Sequence, residues 1–201
     1  MDAGGLIRAG RVAPALAAEL PGLGLLWTVV AARPGRTPAD VRARLADLSD
    51  RWRGPQAMVL RRQPVVHAHR VFFRHIGIEP DVHRVPQEAA IVRRLVEGGF
   101  VPRGMPADAL TIATVETGVG VWAVDADSVE GPLSVRAEPD RRLVIADDAG
   151  VVAPLFGEPQ RPVSRSTREL LLYAIRVPDV PELFAVEALE RCVELLAPLS
   201  D

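Results

Sequence analysis

No lysine occurs in the chain, and all 24 of its basic side chains are arginine. Guanidinium forks suit phosphate groups, although a GC-rich coding sequence explains the bias more cheaply. Cysteine is almost as scarce. Cys192 stands alone, which excludes an internal disulfide, a multi-cysteine zinc site and a CxxC redox pair. It falls in the apolar-rich run Phe184–Leu196, where a buried, inert thiol is expected. Long hydrophobic runs are missing too. The longest, Leu23–Ala32, is far shorter than the roughly 20 residues of a membrane span. Met1 to Arg11 carries two arginines but no continuous apolar core. Neither a secretory signal nor a membrane partner is therefore expected, and the expected compartment is the cytoplasm.

Neither sign of charge dominates. Against the 24 basic residues stand 26 acidic ones, for a net charge of −2. That balance argues against a DNA partner gripped by bulk charge, and it requires any contact with RNA to be local. Glycine-rich phosphate loops are lacking: Gly98-Gly99 and Gly118-Val119-Gly120 complete neither a dinucleotide fingerprint nor a P-loop. Ser164, Ser166 and Thr167 lack the GxSxG surroundings of a hydrolase nucleophile. Asp125, Asp127 and Glu130 lack the ligand order of a calcium loop and read as a solvated turn. His67, His69, His75 and His83 lie close in sequence. On a helix, however, His67 and His69 point to different faces, and no acidic residue completes a ligand set. No metal and no cofactor are expected.

What is present is enough for one domain over residues 1–201, with 48% apolar residues and neither repeats nor low-complexity tracts. Leu25–Ala32 reads as a buried strand closed by the Arg33-Pro34-Gly35 turn. Thr37 is placed to cap a helix running to about Arg53, with Val41, Leu45, Leu48 and Trp52 on one face and Gly54-Pro55 as its stop. A second helix is predicted over Pro64–His75, with Val65, Ala68, Phe72 and Ile76 inward and Gly77 as a left-handed cap. A third is predicted over Pro86–Glu97, with Ala89, Ile91, Val92 and Leu95 inward and Glu88, Arg93 and Arg94 as its charges.

The pattern then changes. Val119–Val124, Leu133–Ala137, Arg142–Ile145 and Val151–Leu155 are short β-rich runs, separated by turns such as Glu138-Pro139-Asp140 and Asp147-Asp148-Ala149-Gly150. They read as an antiparallel meander. Leu170–Val177 adds a strand, and Val180–Leu196 a last helix with Leu183, Val186, Leu189, Val193 and Leu196 inward. The fold class is α+β, a mixed or antiparallel sheet with flanking helices. Among the acids, Glu158 is singled out because it follows Phe156-Gly157 at the mouth of a strand, where glycine lets a ligand or backbone come close.

Four stretches, in order, resemble the B3/B4 editing module of the phenylalanyl-tRNA synthetase beta subunit. Asp108–Ala113 followed by Thr117-Gly118 is similar to the family's "VDATNYV…ELG" helix. On that resemblance Pro106–Thr117 is expected to be helical despite its β-branched residues. Val121–Asp125 with Val129-Glu130-Gly131 and Val135-Arg136 resembles "MHAFDLDRIEG…VR". Leu143–Asp147, Val151–Ala153 and Phe156-Gly157-Glu158 resemble "LVIAD…ALAM…FGGE", and Val163, Thr167 and Leu170–Leu172 the segment after it. Arg84–Gly98 is similar to a helix of freestanding relatives, and the likeness is strongest over residues 70–175.

The resemblance implies a pocket that admits the aminoacyl end of a mischarged tRNA and hydrolyses its ester. It makes Leu110, Thr111, Trp122, Gly157 and Glu158 the expected substrate-binding residues, with Glu158 the best candidate for the chemistry. The family's pocket histidine falls at Trp122, its Thr-Asn pair at Leu110-Thr111, and its double glycine is reduced to Gly157. Arg84, Arg93 and Arg94 are the expected RNA contacts. Two functions stay open at this point: a freestanding hydrolase of aminoacyl-tRNA, and a non-catalytic module that binds an amino acid or an aminoacyl-RNA end.

Overall fold

The computed structural model describes residues 5–197. Two four-stranded sheets carry the architecture. The first runs β1 (Arg8–Ala9), β3 (Gly24–Ala31), β8 (Glu169–Arg176), β4 (Val121–Asp125), antiparallel throughout. The second runs β2 (Arg11–Val12), β5 (Ser134–Ala137), β6 (Leu143–Ala146), β7 (Val151–Pro154). Here β2 lies parallel to β5 and the remaining pairs are antiparallel. The class is thus α+β.

The expected meander holds for β5–β6–β7 only. The first of the four predicted runs, Val119–Val124, forms β4 (Val121–Asp125) and pairs instead with β8 in the other sheet. Gly10 lets the chain step between the sheets: its N–H donates to Leu25 O at 2.7 Å while the next N–H, of Arg11, donates to Leu133 O at 3.0 Å. A Cβ there would lie 2.6 Å from Leu25 Cδ2, so only glycine fits the crossing.

β8 is buried on both faces, from Leu170 to Ile175 without a break, as a central strand covered on both sides must be. α6 (Ala107–Thr117), packed on β4, and α7 (Glu182–Leu196), packed on β3, β8 and α6, cover the first sheet, and α2 (Ala39–Arg51) packs on α6. α1 (Pro14–Glu19) and α3 (Gly54–Val59) are short. α4 (Pro64–His75) and α5 (Pro86–Glu97) begin and end where proline and glycine mark them, with Gly77 and Gly98 at φ +79° and +78°. No helix among the described residues is long and apolar enough to cross a membrane.

Several faces differ from the sequence reading. Thr37 does not cap α2. Its hydroxyl donates to the carboxylate of Asp108 in α6, and Pro38 takes the capping position. In α5 the inward side is Gln87, Glu88, Ala90 and Ile91, while Ala89 and Leu95 are exposed. In α7 Leu183 points outward, and Ala185, Ala188, Leu189, Cys192 and Leu196 form the buried stripe. Cys192 is fully buried, and burial pushes its thiol far up from the ordinary value.

The inward turn of Glu88 has a physical reason. Arg70 of α4 is itself buried, and its guanidinium donates to both oxygens of Glu88, at 3.1 and 2.9 Å, and to Asp81 at 2.8 Å. Arg61 completes the group through Glu88 at 2.8 Å and Asp81 at 2.9 Å. Two charges that would each be costly alone are buried together, locking α4, α5 and the loop between them.

Acid should weaken this fold in two steps. His69 is 1% exposed, and its Nδ1–H donates to Val65 O at 2.8 Å. Burial holds its pKa below the ordinary 6.5, only partly offset by that bond. Below pH 6.5 the unfolded chain takes up a proton that the folded chain refuses. Stability is therefore full above 6.5 and falls as pH drops toward the lowered folded value, by up to about 1.4 kcal/mol per pH unit. Asp147 acts further down. Burial opposes its charge, but Arg161 and the N–H groups of Glu130, Ala149 and Gly150 outweigh that and hold its pKa below 3.8. Its contribution disappears as pH falls through that depressed value. Urea unfolding between pH 7.5 and 5 should show the first slope, and His69→Phe should flatten it.

Candidate active site

Aromatic residues make up only 4% of the chain, yet they are concentrated. Register places Arg8 opposite Trp27, Trp27 opposite Tyr173 and Tyr173 opposite Trp122, one row across β1, β3, β8 and β4. Directly opposed residues share a face, so the row is continuous. The Arg8 guanidinium lies 5.1 Å above the Trp27 ring, and the Trp122 ring stacks on Tyr173 at 5.7 Å with 13° between planes. Phe156, just past β7, reaches over from the second sheet to 6.1 Å from Trp122 and 4.6 Å from Phe73. Trp122 is thereby held half-buried between two rings.

Beside this cluster opens a cleft of about 400 Å³. Trp122, Phe156, Leu110, Thr111 and Thr114 line it together with Glu158 and the arginines Arg84, Arg93 and Arg103. Gly120 and Pro86 also line it. A Cβ at Gly120 would lie 2.7 Å from Trp122 Cη2 and 2.8 Å from Pro86 Cγ, so glycine is what lets the tryptophan fold back there. The sequence offered Gly120 only as a turn residue, with no sign that it clears space for a ring.

Of the residues expected from the sequence, Leu110, Thr111, Trp122, Glu158, Arg84 and Arg93 meet at this cleft. Two others do not. Gly157 lines an adjoining hollow instead, and a Cβ on it would lie 2.8 Å from Pro154 Cβ; the close approach it permits is by proline. Arg94 turns away and donates to the Ser49 carbonyl at 2.7 Å, tying α5 to α2. Arg84 lines the cleft from the loop ahead of α5 rather than from the helix itself.

Chemical capacities follow from these contacts. Glu158 is exposed, and its charge adds to burial in raising the pKa of the Tyr173 hydroxyl. That hydroxyl is buried with no hydrogen-bond partner among the described residues. Thr111 Oγ1 already donates to Ala107 O at 2.9 Å, so toward the cleft it offers only lone pairs. Arg84 and Arg93 form no ion pair among the described residues, whereas Arg103 pairs with Glu97. No histidine lines the cleft, and no cluster of three or more His, Cys, Asp or Glu suited to a metal occurs among the described residues. The cleft can therefore hold an apolar group against Trp122 and Phe156, accept hydrogen bonds through Glu158, and hold an anion at its arginine rim.

Sequence reading missed Phe156 as a hub and Arg103 as a wall. Phe156 stood only as the first letter of a motif, and its partners come from α4 and β4. The chain matches no model of a known protein family, and no curated protein is significantly similar to it in sequence.

Proposed function

We propose that this chain is a B3/B4-like editing module, working in the cytoplasm, that hydrolyses the ester of mischarged aminoacyl-tRNA. One observation carries the reading. The stretches that resemble the family, far apart in sequence, supply Leu110-Thr111, Trp122 and Glu158, and these side chains converge on a single cleft under arginines. Its volume of about 400 Å³ suits an aminoacyl group with part of its nucleoside.

In this reading the amino-acid side chain lies along Trp122 and Phe156, and the arginine rim receives the nearest phosphate. Water, oriented by Glu158, attacks the ester carbonyl carbon. The tetrahedral intermediate then collapses, the ribose oxygen leaves and takes up a proton, and the products are free amino acid and deacylated tRNA. An aminoacyl ester is activated enough that orientation and charge stabilisation suffice without a protein nucleophile. Selection against a hydroxylated amino acid would rest on Glu158, since a site built to bond a hydroxyl is left unpaired when the hydroxyl is missing.

A non-catalytic binding module is favoured by a different observation: no imidazole lines the cleft, and Trp122 stands where the resemblance would put the family's pocket histidine. Deacylation assays with purified protein and a panel of mischarged tRNAs separate the two. Turnover above buffer with at least one species is the expected result. Saturable binding without turnover for every species would replace the hydrolase by the binding module, and neither binding nor turnover would remove both.

A further inference from the structure

A second cleft adjoins the first, and its lining differs in kind. Arg36, Arg42, Arg103 and Arg165 surround about 760 Å³ of space with no carboxylate among the residues that line it. In a chain of net charge −2 this local concentration of guanidinium groups is a strong departure from the mean. Arg36 and Arg165 are exposed and form no ion pair among the described residues. Arg42 donates to the Thr37 carbonyl at 2.7 Å, and Arg103 to Glu97.

The backbone beneath is fixed. Gly35 and Met105 exchange both N–H···O bonds, at 3.2 and 2.9 Å, joining the loop after β3 to the loop before α6. Asp108, 2% exposed, accepts from the N–H groups of Arg103 and Gly104 and from the Thr37 hydroxyl. Its charge is spent on these inward donors. Gly104 runs at φ +93°, and a Cβ there would lie 2.7 Å from Gly35 O, so the two loops approach as closely as glycine allows. The arginines thus rise from a preformed frame, which limits the ordering cost of holding an anion between them.

Arg103 lines both clefts. A chain whose terminal residue sits against Trp122 passes Arg103 next and then meets Arg36, Arg42 and Arg165. We infer that the arginine cleft holds successive backbone phosphates of the single-stranded RNA end whose terminal aminoacyl nucleoside enters the first cleft. This rests on the proposed function for its direction, but its charge chemistry is independent of any hydrolysis.

The test uses two probes and the full chain. One is a short single-stranded RNA ending in C-C-A and carrying a non-hydrolysable 3′-aminoacyl amide; the other is the same amide on adenosine alone, with no phosphate. Arg36→Gln combined with Arg165→Gln should weaken binding of the RNA probe about ten-fold and flatten its salt dependence by about 1.4, as expected when two phosphate contacts on a single strand are lost. Binding of the adenosine probe should not change. Arg36→Lys with Arg165→Lys should restore most of the affinity, since charge is retained. An RNA affinity and salt slope identical to the unaltered protein would overturn the inference, whatever the adenosine probe does. Loss of RNA affinity in the glutamine variant, with no binding of the adenosine probe by any form, would uphold the phosphate cleft and overturn the proposed function. Equal weakening of both probes would also overturn the inference, because the arginines would then act on the first cleft and not on phosphates.

Discussion

Glu88→Ala should lower the unfolding free energy by about 3–5 kcal/mol, the range for removing one partner of a buried ion pair. The side chains of Arg70 and Glu88 are 7% and 4% exposed, so neither water nor counter-ions can take the place of the missing carboxylate. Arg70 would keep only Asp81, which is half exposed, and the Pro80 carbonyl at 3.4 Å. In a chain of this size such a loss corresponds to a fall in melting temperature of roughly 6–20 °C. The mirror change is milder: Arg70→Met with Glu88→Leu removes both charges and should recover most of the loss, because buried ion pairs are often replaceable by well-packed apolar groups. Thermal unfolding of the single and double variants checks both, and a double variant as unstable as Glu88→Ala would show that the pair does more than compensate itself.

Glu158→Gln should behave in the opposite way, silent in stability and large in activity. Its side chain is exposed and makes no ion pair among the described residues, so the melting temperature should move by less than about 1 °C. If Glu158 both orients the attacking water and takes its proton, the amide can hold that water but cannot take the proton, and kcat/KM for deacylation should fall about 100-fold, the lower end of what a positioned base contributes. That is about 2.7 kcal/mol of transition-state stabilisation. A fall confined to KM would assign Glu158 to substrate reading alone. Unchanged rates with tyrosine- and phenylalanine-loaded tRNA alike would remove Glu158 from the site.

How far the sequence reveals this molecule depends on whether the signal is local. α4 and α5 are readable to the residue because proline opens each and glycine closes each, and both devices act within a single turn. β1 and β2, two residues apiece, carry no alternation to read. The partner of β4 is hidden for a related reason: Val121–Asp125 has the same alternation whether it pairs with β5 or with β8, and only the packing of α6 and α7 decides. Glu88 is misread because a charge on a helix is normally solvated, and nothing near it in sequence announces Arg70. Within the cleft, Trp122 and Glu158 are visible through the motif resemblance. Gly157 is visible for the wrong reason, since a glycine's need for space does not say which neighbour fills it. Arg103 and the arginine cleft are not visible at all, because in a chain whose cations are all arginine no single one stands out.

The place of β8 also constrains the order in which the molecule can assemble. Its residues pair with β3 across about 150 positions of sequence, as in Leu25 with Ile175, and with β4 on the other side. On a ribosome, β3 and β4 are both made before β8, the strand that joins them. The β5–β6–β7 meander, whose pairings are local, is free to form while synthesis continues. The growing chain therefore carries an unpaired edge of β3 from early on, and one of β4 once residue 125 is made, until β8 follows; it is in that interval, rather than in the finished fold, that this protein is most open to pairing with the wrong strand.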